Sequence, residues 1–557
     1  MARTPERLLV SMLALGAVAA PLVFRSLDDN RLTSWQWVFA GTSPARLFAL
    51  VAAGIALAHL LAALPLPGRR PGAVLALASC AAAACFWGEP EAIVDASRYF
   101  TQAKHLELYG PGHFLAEWGR GIPAWTDLPL VPFLYGLAFR LLGESRAVIQ
   151  GLDTLLFAAT AVLVHRLGRA LWDEEVGFTA GAFLLAIPYL LTQVPAMLVD
   201  VPTMFFLTLA LLAVVRALES GGAARIALAS AAVALALLSK YSAGLLLSVL
   251  PVAWLVLRRG APRPLRTGAA VALSSLALVA AAVLPRRDVY ARQIALLLEY
   301  QAPGLRRWGE SLASTFLFQV HPFLTAAAVL SAWLAIRRRD PRYAIAAWPV
   351  LLLLGLGVHR IRYWVPAFPM LALLGAYGLQ LLGSRELRRL VLACAVVSAL
   401  VIALAGYLPF LRGTSAINLA QAGEYLDTLE EERVEVLTPP PADPEVDPAV
   451  SVPILDLFTA KRLVYRQEDP PSPPPGARES ALRFTWEYRN PRYYAADGPE
   501  AGAAVAVVCD DLERPLPESA ERRLRGLRLA RVFAAADGVF RHRTLVAVYR
   551  PPPPGPR

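Results

Sequence analysis

The amino-acid sequence predicts an α-helical polytopic membrane protein that ends in a small α/β domain. Three observations carry this. Of the 557 residues, 56% are hydrophobic, above the about 45–50% usual in soluble domains, and the mean hydropathy is +0.48. Apolar runs of span length recur from Leu8 to Phe410, separated by short loops rich in arginine. Beyond Phe410 these runs stop, and proline-rich stretches alternate with short patterned segments.

Taken in order, apolar length places spans near 8–24, 46–66, 72–88, 147–168, 176–194, 201–218, 223–239, 242–257, 267–284, 312–335, 342–357, 364–382 and 389–410, about 13 transmembrane helices in all. Met1 to Arg7 followed by Leu8–Phe24 imitates a signal peptide, but with so many apolar runs behind it the stretch reads as a first span anchored by inside positive charge. A cytoplasmic N-terminus puts Pro67–Pro71 (Arg69, Arg70), Arg166–Glu175, Arg216–Arg225, Arg258–Arg266, Arg337–Arg342 and Ser384–Arg389 inside, and almost every one is basic.

Leu128–Leu142 is apolar yet only about fifteen residues long, short for a span. Counting it as one would put Arg166, Arg169 and every later basic loop outside. It reads instead as a helix against the outer interface, with Pro129 near its start. Residues 89–146 then form one long outer loop with two surface helices, the first running from Glu91 to about Leu108 and ended by Tyr109-Gly110-Pro111-Gly112. In this scheme the domains are 1–71, N-terminal spans; 72–411, the main membrane domain; and 412–557, an outer domain.

The net charge of +11 is carried by arginine clusters between apolar runs, as expected of inner loops and lipid phosphate contacts and not of a nucleic-acid surface, so no nucleic-acid partner is expected. Cys80, Cys85, Cys394 and Cys509 make no metal signature and predict no structural disulfide. No internal repeat is visible, which weakens a transporter built on duplicated halves.

The polar groups on the outer side carry the candidate chemistry. Glu89-Pro-Glu91-Ala-Ile-Val-Asp95-Ala-Ser-Arg98-Tyr99 packs three carboxylates, an arginine and a tyrosine into the point where the chain leaves an apolar run. Asp95 is either a general base at the membrane face, its pKa raised by partial burial, or a carboxylate at the positive end of a helix. Asp200, in Val199-Asp200-Val201-Pro202, reads as an N-cap that still presents an oxygen to the membrane face. Lys240 either snorkels at a helix end or meets a phosphate.

His359-Arg360-Ile361-Arg362-Tyr363 suits either a phosphate or the aromatic belt. His321 reads as a hydrogen-bonded core histidine. The outer stretch Arg25–Ser43 adds Asp28 and Asp29. The loop 285–310, with Arg286, Arg287, Arg292, Arg306 and Arg307, breaks the positive-inside trend and points to an anionic ligand. Glu89, Glu91 and Asp95 could ligate a divalent ion, although their spacing is not a recognised site. In the C-terminal part, Val434–Leu437, Ala504–Cys509 and Thr544–Tyr549 read as strands and Leu419–Glu431 and Glu518–Leu527 as helices, with disordered prolines at the tail and nothing catalytic.

In this order the landmarks resemble those of the integral-membrane glycosyltransferases of the C-type fold (GT-C), in particular the bacterial branch of the protein O-mannosyltransferases and the aminoarabinose transferases of lipid A. Asp95-Ala-Ser-Arg98-Tyr99 is similar to the family's Asp-Glu-x-x-Tyr motif in its first outer loop, and Asp127-Leu-Pro129-Leu130 with Gly143-Glu144-Ser145 to its Pro-Pro-Leu surface helix. Asp200-Val-Pro202, Leu238-Ser239-Lys240-Tyr241 and Arg362-Tyr363-Trp364-Val365-Pro366 follow in the family's order. The resemblance covers about residues 70–410. Two departures stand out: Ala96 replaces the acidic neighbour of the first aspartate, and two apolar runs precede the loop where the family has one span.

The resemblance implies transfer of a sugar from a polyprenyl-phosphate-linked donor to an acceptor glycan, lipid or protein on the outer face. Asp95 would be the base, Asp200 would orient the acceptor, and Lys240, Arg362, Tyr363, Arg360, His359, Arg98 and Tyr99 would hold substrate and phosphate. It also implies a multi-pass protein of the inner (plasma) membrane with its C-terminal domain outside. Two rival classes are a lipid or glycan transporter, which would carry ionisable groups along a path through mid-span, and a scaffold whose outer domain binds a partner. The transporter fits less well because the charges gather at the outer ends of the runs, and the scaffold leaves Lys240 and Asp200 unexplained.

Overall fold

The computed structural model describes residues 4–25, 37–64, 70–303, 310–441, 446–466, 472–480, 482–495, 504–535 and 544–552. Asp28, Asp29, Arg69, Arg306 and Arg307 lie outside the described residues.

Among the described residues seven helices are long and apolar enough to cross a membrane: Thr4–Phe24, Pro44–Ala63, Arg146–Leu171, Asp200–Ser220, Pro264–Gln301, Ile361–Leu381 and Arg385–Arg412. A bent pair, Leu312–Gln319 and Pro322–Arg338, makes up to eight. The other expected spans are helical but shorter or interrupted: Pro71–Ala84, Glu174–Phe183 with Pro188–Gln193, Ala223–Ser239, Tyr241–Leu257 and Tyr343–Gly355. Local chemistry sets several starts. Ser43, Ser145, Asp173 and Ser384 each accept a backbone N–H of the first turn, and Pro44, Pro71, Pro264 and Pro322 sit where a helix has no use for the missing donor.

Burial separates the centre of the bundle from its rim. In Asp200–Ser220 83% of the apolar window is inside the protein, against 17% in Pro264–Gln301, which turns most of its leucines outward. A helix that is apolar all round yet mostly uncovered needs lipid as its second solvent.

Two expectations about element boundaries are corrected. The span 312–335 is broken by 117° at Val320–His321, because Pro322 cannot donate to the preceding turn and His321 instead caps the new helix by accepting from Phe323 N. The supposed basic loop 285–310 is helical as far as Gln301, since Arg287–Leu296 holds good helix formers that carry the helix past its apolar part. Arg286 there donates to the carbonyls of Leu115 and Ala116. The first surface helix starts at Ile93 and breaks where the sequence puts its end, at Gly110, whose φ of +85° and ψ of 169° are not helical and suit glycine; a second helical segment then carries the chain on to Glu117.

The second surface helix, Leu130–Leu142, lies where the sequence puts it and crosses the first at close range. Gly136 allows this approach, because a Cβ there would stand 2.5 Å from the Ala103 carbonyl oxygen.

Among the described residues the C-terminal part carries five strands: β1 (Arg433–Leu437), β2 (Arg462–Tyr465), β3 (Ala504–Cys509), β4 (Arg528–Phe533) and β5 (Leu545–Arg550). They are ordered β2-β1-β3-β5-β4, with β1 parallel to both neighbours and β5 antiparallel to β3 and β4. The three expected strands are β1, β3 and β5, and the expected helices are Ala416–Asp427 and Glu518–Leu524. Val434 and Val436 of β1 share one hydrophobic cluster with Ile93, Ala96 and Phe100 of the first surface helix, and the helical segment Pro448–Leu457 packs on that helix and on the sheet, joining the two.

Candidate active site

The first surface helix opens on a face built for charge. Asp95, Arg98 and Gln102 follow at intervals of three and four and therefore share one side. Arg98 places one terminal nitrogen 3.1 Å from Asp95 Oδ1 and 3.0 Å from Asp127 Oδ1. Gln102 donates to the other Asp127 oxygen at 3.0 Å and accepts from Trp118 Nε1.

Across from this helix stands Asp200. Its side chain is fully buried and does not act as the expected N-cap: it is the first helical residue, and Val199 holds the cap position without a side-chain bond. Its carboxylate instead accepts from Lys240 Nζ at 2.5 Å and from Arg362 Nε at 2.7 Å. Lys240 reaches it because the chain is extended at the junction of Ala223–Ser239 and the helix from Tyr241. Arg362 sits in the tight turn Ile361–Ala367, whose first amide Ile361 N is held by the buried carboxylate of Glu310. From a terminal nitrogen Arg362 also donates to Asp95 Oδ2. The ring of Tyr363 lies 5.3 Å from Lys240 Nζ and equally far from the Arg360 guanidinium carbon.

The structure thus brings together Asp95, Arg98, Tyr99, Asp200, Lys240, Arg360, Arg362 and Tyr363, residues from distant parts of the chain. His359 joins none of these ion pairs. His321 is elsewhere, a buried cap bonded to Ser398 at 2.8 Å. Arg287 and Arg292 of the former loop are exposed, and Arg292 faces Asp288 on its own helix.

The electrostatics of Asp95 run opposite to the expectation. Burial works against its charge, but Arg362, then Arg98 and Arg360, outweigh burial and hold the carboxyl well below the usual carboxylate range. Asp127 shows the reverse balance. Its burial outweighs Arg98, and with Asp95 adding repulsion its pKa rises to about 6.

Glu89 and Glu91 do not share Asp95's surroundings. Glu91 accepts from Arg146 Nε at 3.0 Å and from Met197 N at 2.9 Å, while Arg146 also holds the carbonyls of Trp87 and Glu89. This strut ties the start of the surface helix to the loop before Asp200. Burial pushes the pKa of both glutamates up, with Arg146 opposing. Among the described residues no three His, Cys, Asp or Glu side chains gather as a metal site, so the divalent ion considered for Glu89, Glu91 and Asp95 has no ready-made ligand set.

Several members of the site were not singled out from sequence as site residues: Asp127, Gln102, Glu310 and Gln293. Gln293 Nε2 donates to the carbonyls of Asp127 at 2.9 Å and Ala124 at 3.2 Å, and its own oxygen accepts from Tyr241 OH at 2.7 Å. Two of them left a signal, Gln102 by its spacing of seven from Asp95 and Asp127 as the first residue of the landmark Asp127-Leu-Pro129-Leu130. The C-terminal part also reaches in. Lys104 Nζ lies 2.6 Å from Asp456 and 2.9 Å from Glu144, and the Phe484 ring centre lies 4.6 Å from the Arg98 guanidinium carbon.

Residues 126–285 match the family model described as dolichyl-phosphate-mannose-protein mannosyltransferase, a stretch that takes in Asp127, Asp200 and Lys240. No curated protein sequence matches the chain. Among solved structures, ArnT from Cupriavidus metallidurans bound to undecaprenyl phosphate superposes with a TM-score of 0.53 at 14% identity, over 86% of this chain and 98% of that one. The archaeal oligosaccharyltransferase AglB from Archaeoglobus fulgidus, in complex with an inhibitory peptide and a dolichol-phosphate, gives a TM-score of 0.50 at 12% identity, over 79% of this chain and 69% of that one. At these identities the structures show a shared fold, and the family model supplies the enzyme class for its own stretch. The resemblance read from the sequence is borne out on both counts, as a multi-pass membrane protein of the C-type fold and of the glycosyltransferase class.

Proposed function

We propose that this membrane glycosyltransferase of the C-type fold moves a sugar from a polyprenyl-phosphate-linked donor to an acceptor hydroxyl or amine on the outer face, with Asp95 as general base. The observation that carries the reading is the single guanidinium of Arg362 bonded to both Asp95 and Asp200, with Lys240 on the same Asp200 carboxylate. It couples a base to cations suited to a phosphate.

In the proposed reaction the acceptor oxygen or nitrogen bonds to the sugar's anomeric carbon while the bond from that carbon to the phosphate oxygen breaks. Asp95 takes the acceptor proton, and the polyprenyl phosphate leaves with the electron pair. Lys240 and Arg362, with Arg360 and Tyr363 beside them, stabilise the charge on the leaving phosphate, and Asp200 orients the acceptor. A carboxylate held so low is a weak base in the resting protein. An incoming phosphate that draws Arg362 toward itself removes the largest attraction on Asp95 and strengthens the base when a donor is present. The lipid tail lies in a groove between spans, which accounts for a sugar transferase living in the bilayer.

The orientation follows loop charge: N-terminus cytoplasmic, residues 412–557 outside the inner membrane, and residues 72–411 as the catalytic membrane domain. In a strain lacking the gene, mass spectrometry of lipid extracts should show polyprenyl-linked sugars accumulating. The wild-type gene should clear them, and an Asp95→Asn gene expressed at the same level should not. Clearance by Asp95→Asn would sink the assignment of the base.

A further inference from the structure

We propose that Asp127 is a positioning residue that sets the base strength of Asp95, by dividing one nitrogen of Arg98 between the two carboxylates. The inference rests on the reading of Asp95 as the base and adds a residue to which that reading gives no role.

The geometry is specific. A single Arg98 nitrogen lies 3.1 Å from Asp95 and 3.0 Å from Asp127, so its two hydrogens serve two acids that compete for the attraction of one positive charge. Asp127 is 4% exposed at its side chain and Arg98 6%, so water does not dilute the competition. Asp127 is itself fixed from two further directions: Gln102 holds its second carboxylate oxygen, and Gln293, itself held by Tyr241, holds its backbone carbonyl from the helix Arg287–Leu296. The charged groups facing the carboxylate are Arg98, Asp95 and Arg362, with Tyr99 and Tyr241 also within electrostatic reach. Gln102 and Gln293 are neutral and donate whatever the pH.

The sign follows from the competition. Burial pushes Asp127 up to about 6, so it is neutral in mild acid and ionised above. While it is neutral, Arg98 spends its attraction on Asp95 and weakens the base. Once ionised, Asp127 draws Arg98 away and Asp95 accepts a proton more readily. The transfer rate therefore rises with pH through about 6, and the rise belongs to Asp127, because Asp95 is already ionised throughout that window.

The test uses purified full-length protein added to membranes of a strain lacking the gene, which supply the native donor and acceptor. The loss of polyprenyl-linked sugar is followed by mass spectrometry from about pH 4.5 to 8. Wild type should gain about tenfold in rate with an inflection near pH 6. Asp127→Asn should lose that inflection and stay about tenfold slower, with apparent KM within about twofold. An unchanged inflection in Asp127→Asn, or a loss carried by KM alone, overturns the proposal. Asp127→Glu should restore a titrating step and decides the matter if the asparagine variant does not purify as a monodisperse protein. A glutamate variant with no step overturns the proposal too. If wild type consumes no polyprenyl-linked sugar, or Asp95→Asn consumes it at the wild-type rate, the reading of the site falls and the role of Asp127 falls with it.

Discussion

Arg362 meets Asp200 through Nε at 2.7 Å, which leaves a terminal nitrogen of the same guanidinium for a second carboxylate, Asp95. One planar group thereby fixes the distance between the surface helix and the buried span. A lysine offers a single ammonium in place of the fork and cannot hold both acids in that geometry.

Arg362→Lys should therefore keep the protein folded but lower transfer by about 100-fold. The rate of loss of polyprenyl-linked sugar, compared with the gel-filtration profile of the same preparation, checks this. A lysine variant with near-wild-type rate would show that the fork is not used.

Lys240→Ala should weaken binding of undecaprenyl phosphate by about tenfold, equivalent to about 1.4 kcal/mol. The Lys240 side chain is 20% exposed and its ammonium lies over Tyr363, so it has access to a ligand as well as to Asp200. Isothermal titration of detergent-solubilised protein with undecaprenyl phosphate measures it. Equal affinity in the variant removes Lys240 from the phosphate role.

Most of the charged part of the site was legible in the sequence because a charge at the end of an apolar run is costly without a partner. Asp95, Asp200, Lys240 and Arg362 each stand at such a place and all four meet. The direction of Asp95's pKa was not legible, since burial alone predicts a rise and the arginine that reverses it comes from the far side of the fold. Gln293 was hidden because it lies where the apolar pattern stops but the helix does not. Strand β4 was hidden for the opposite reason: it is an edge strand exposed over nearly its whole length, so no alternation marks it. The break before Pro322 did carry a signal, the proline itself, which span length outweighed.

Gly136→Ala should separate the two surface helices. The added Cβ would stand 2.5 Å from the Ala103 carbonyl oxygen and 2.7 Å from Leu106 Cβ, and a backbone oxygen cannot turn aside as a flexible side chain can. The expected cost is about 1–3 kcal/mol of overpacking. The thermal midpoint of the solubilised protein should fall, and transfer should fall with it because Asp95 and Asp127 are carried by the two segments that meet here. An unchanged midpoint would mean that the helices shift apart freely.

Asp456→Ala tests whether the C-terminal part holds the first surface helix in place. Asp456 is 2% exposed at its side chain and takes bonds from Lys104 Nζ and Tyr494 OH, both at 2.6 Å. Burial works against the Lys104 charge, but Asp456 and then Glu144 outweigh it and raise its pKa, so the ammonium stays charged at every working pH. Removing Asp456 leaves that charge with Glu144 alone, in a pocket of the Phe100, Tyr493 and Tyr494 rings. Breaking a buried pair in this way costs about 3–5 kcal/mol. The thermal midpoint should drop, and limited proteolysis should release the region after residue 412 sooner than in wild type. Lys104→Met together with Asp456→Leu should recover much of the midpoint, because an apolar pair leaves no charge stranded. If Asp456→Ala melts and digests like wild type, the ion pair does not fasten the sheet to the surface helix.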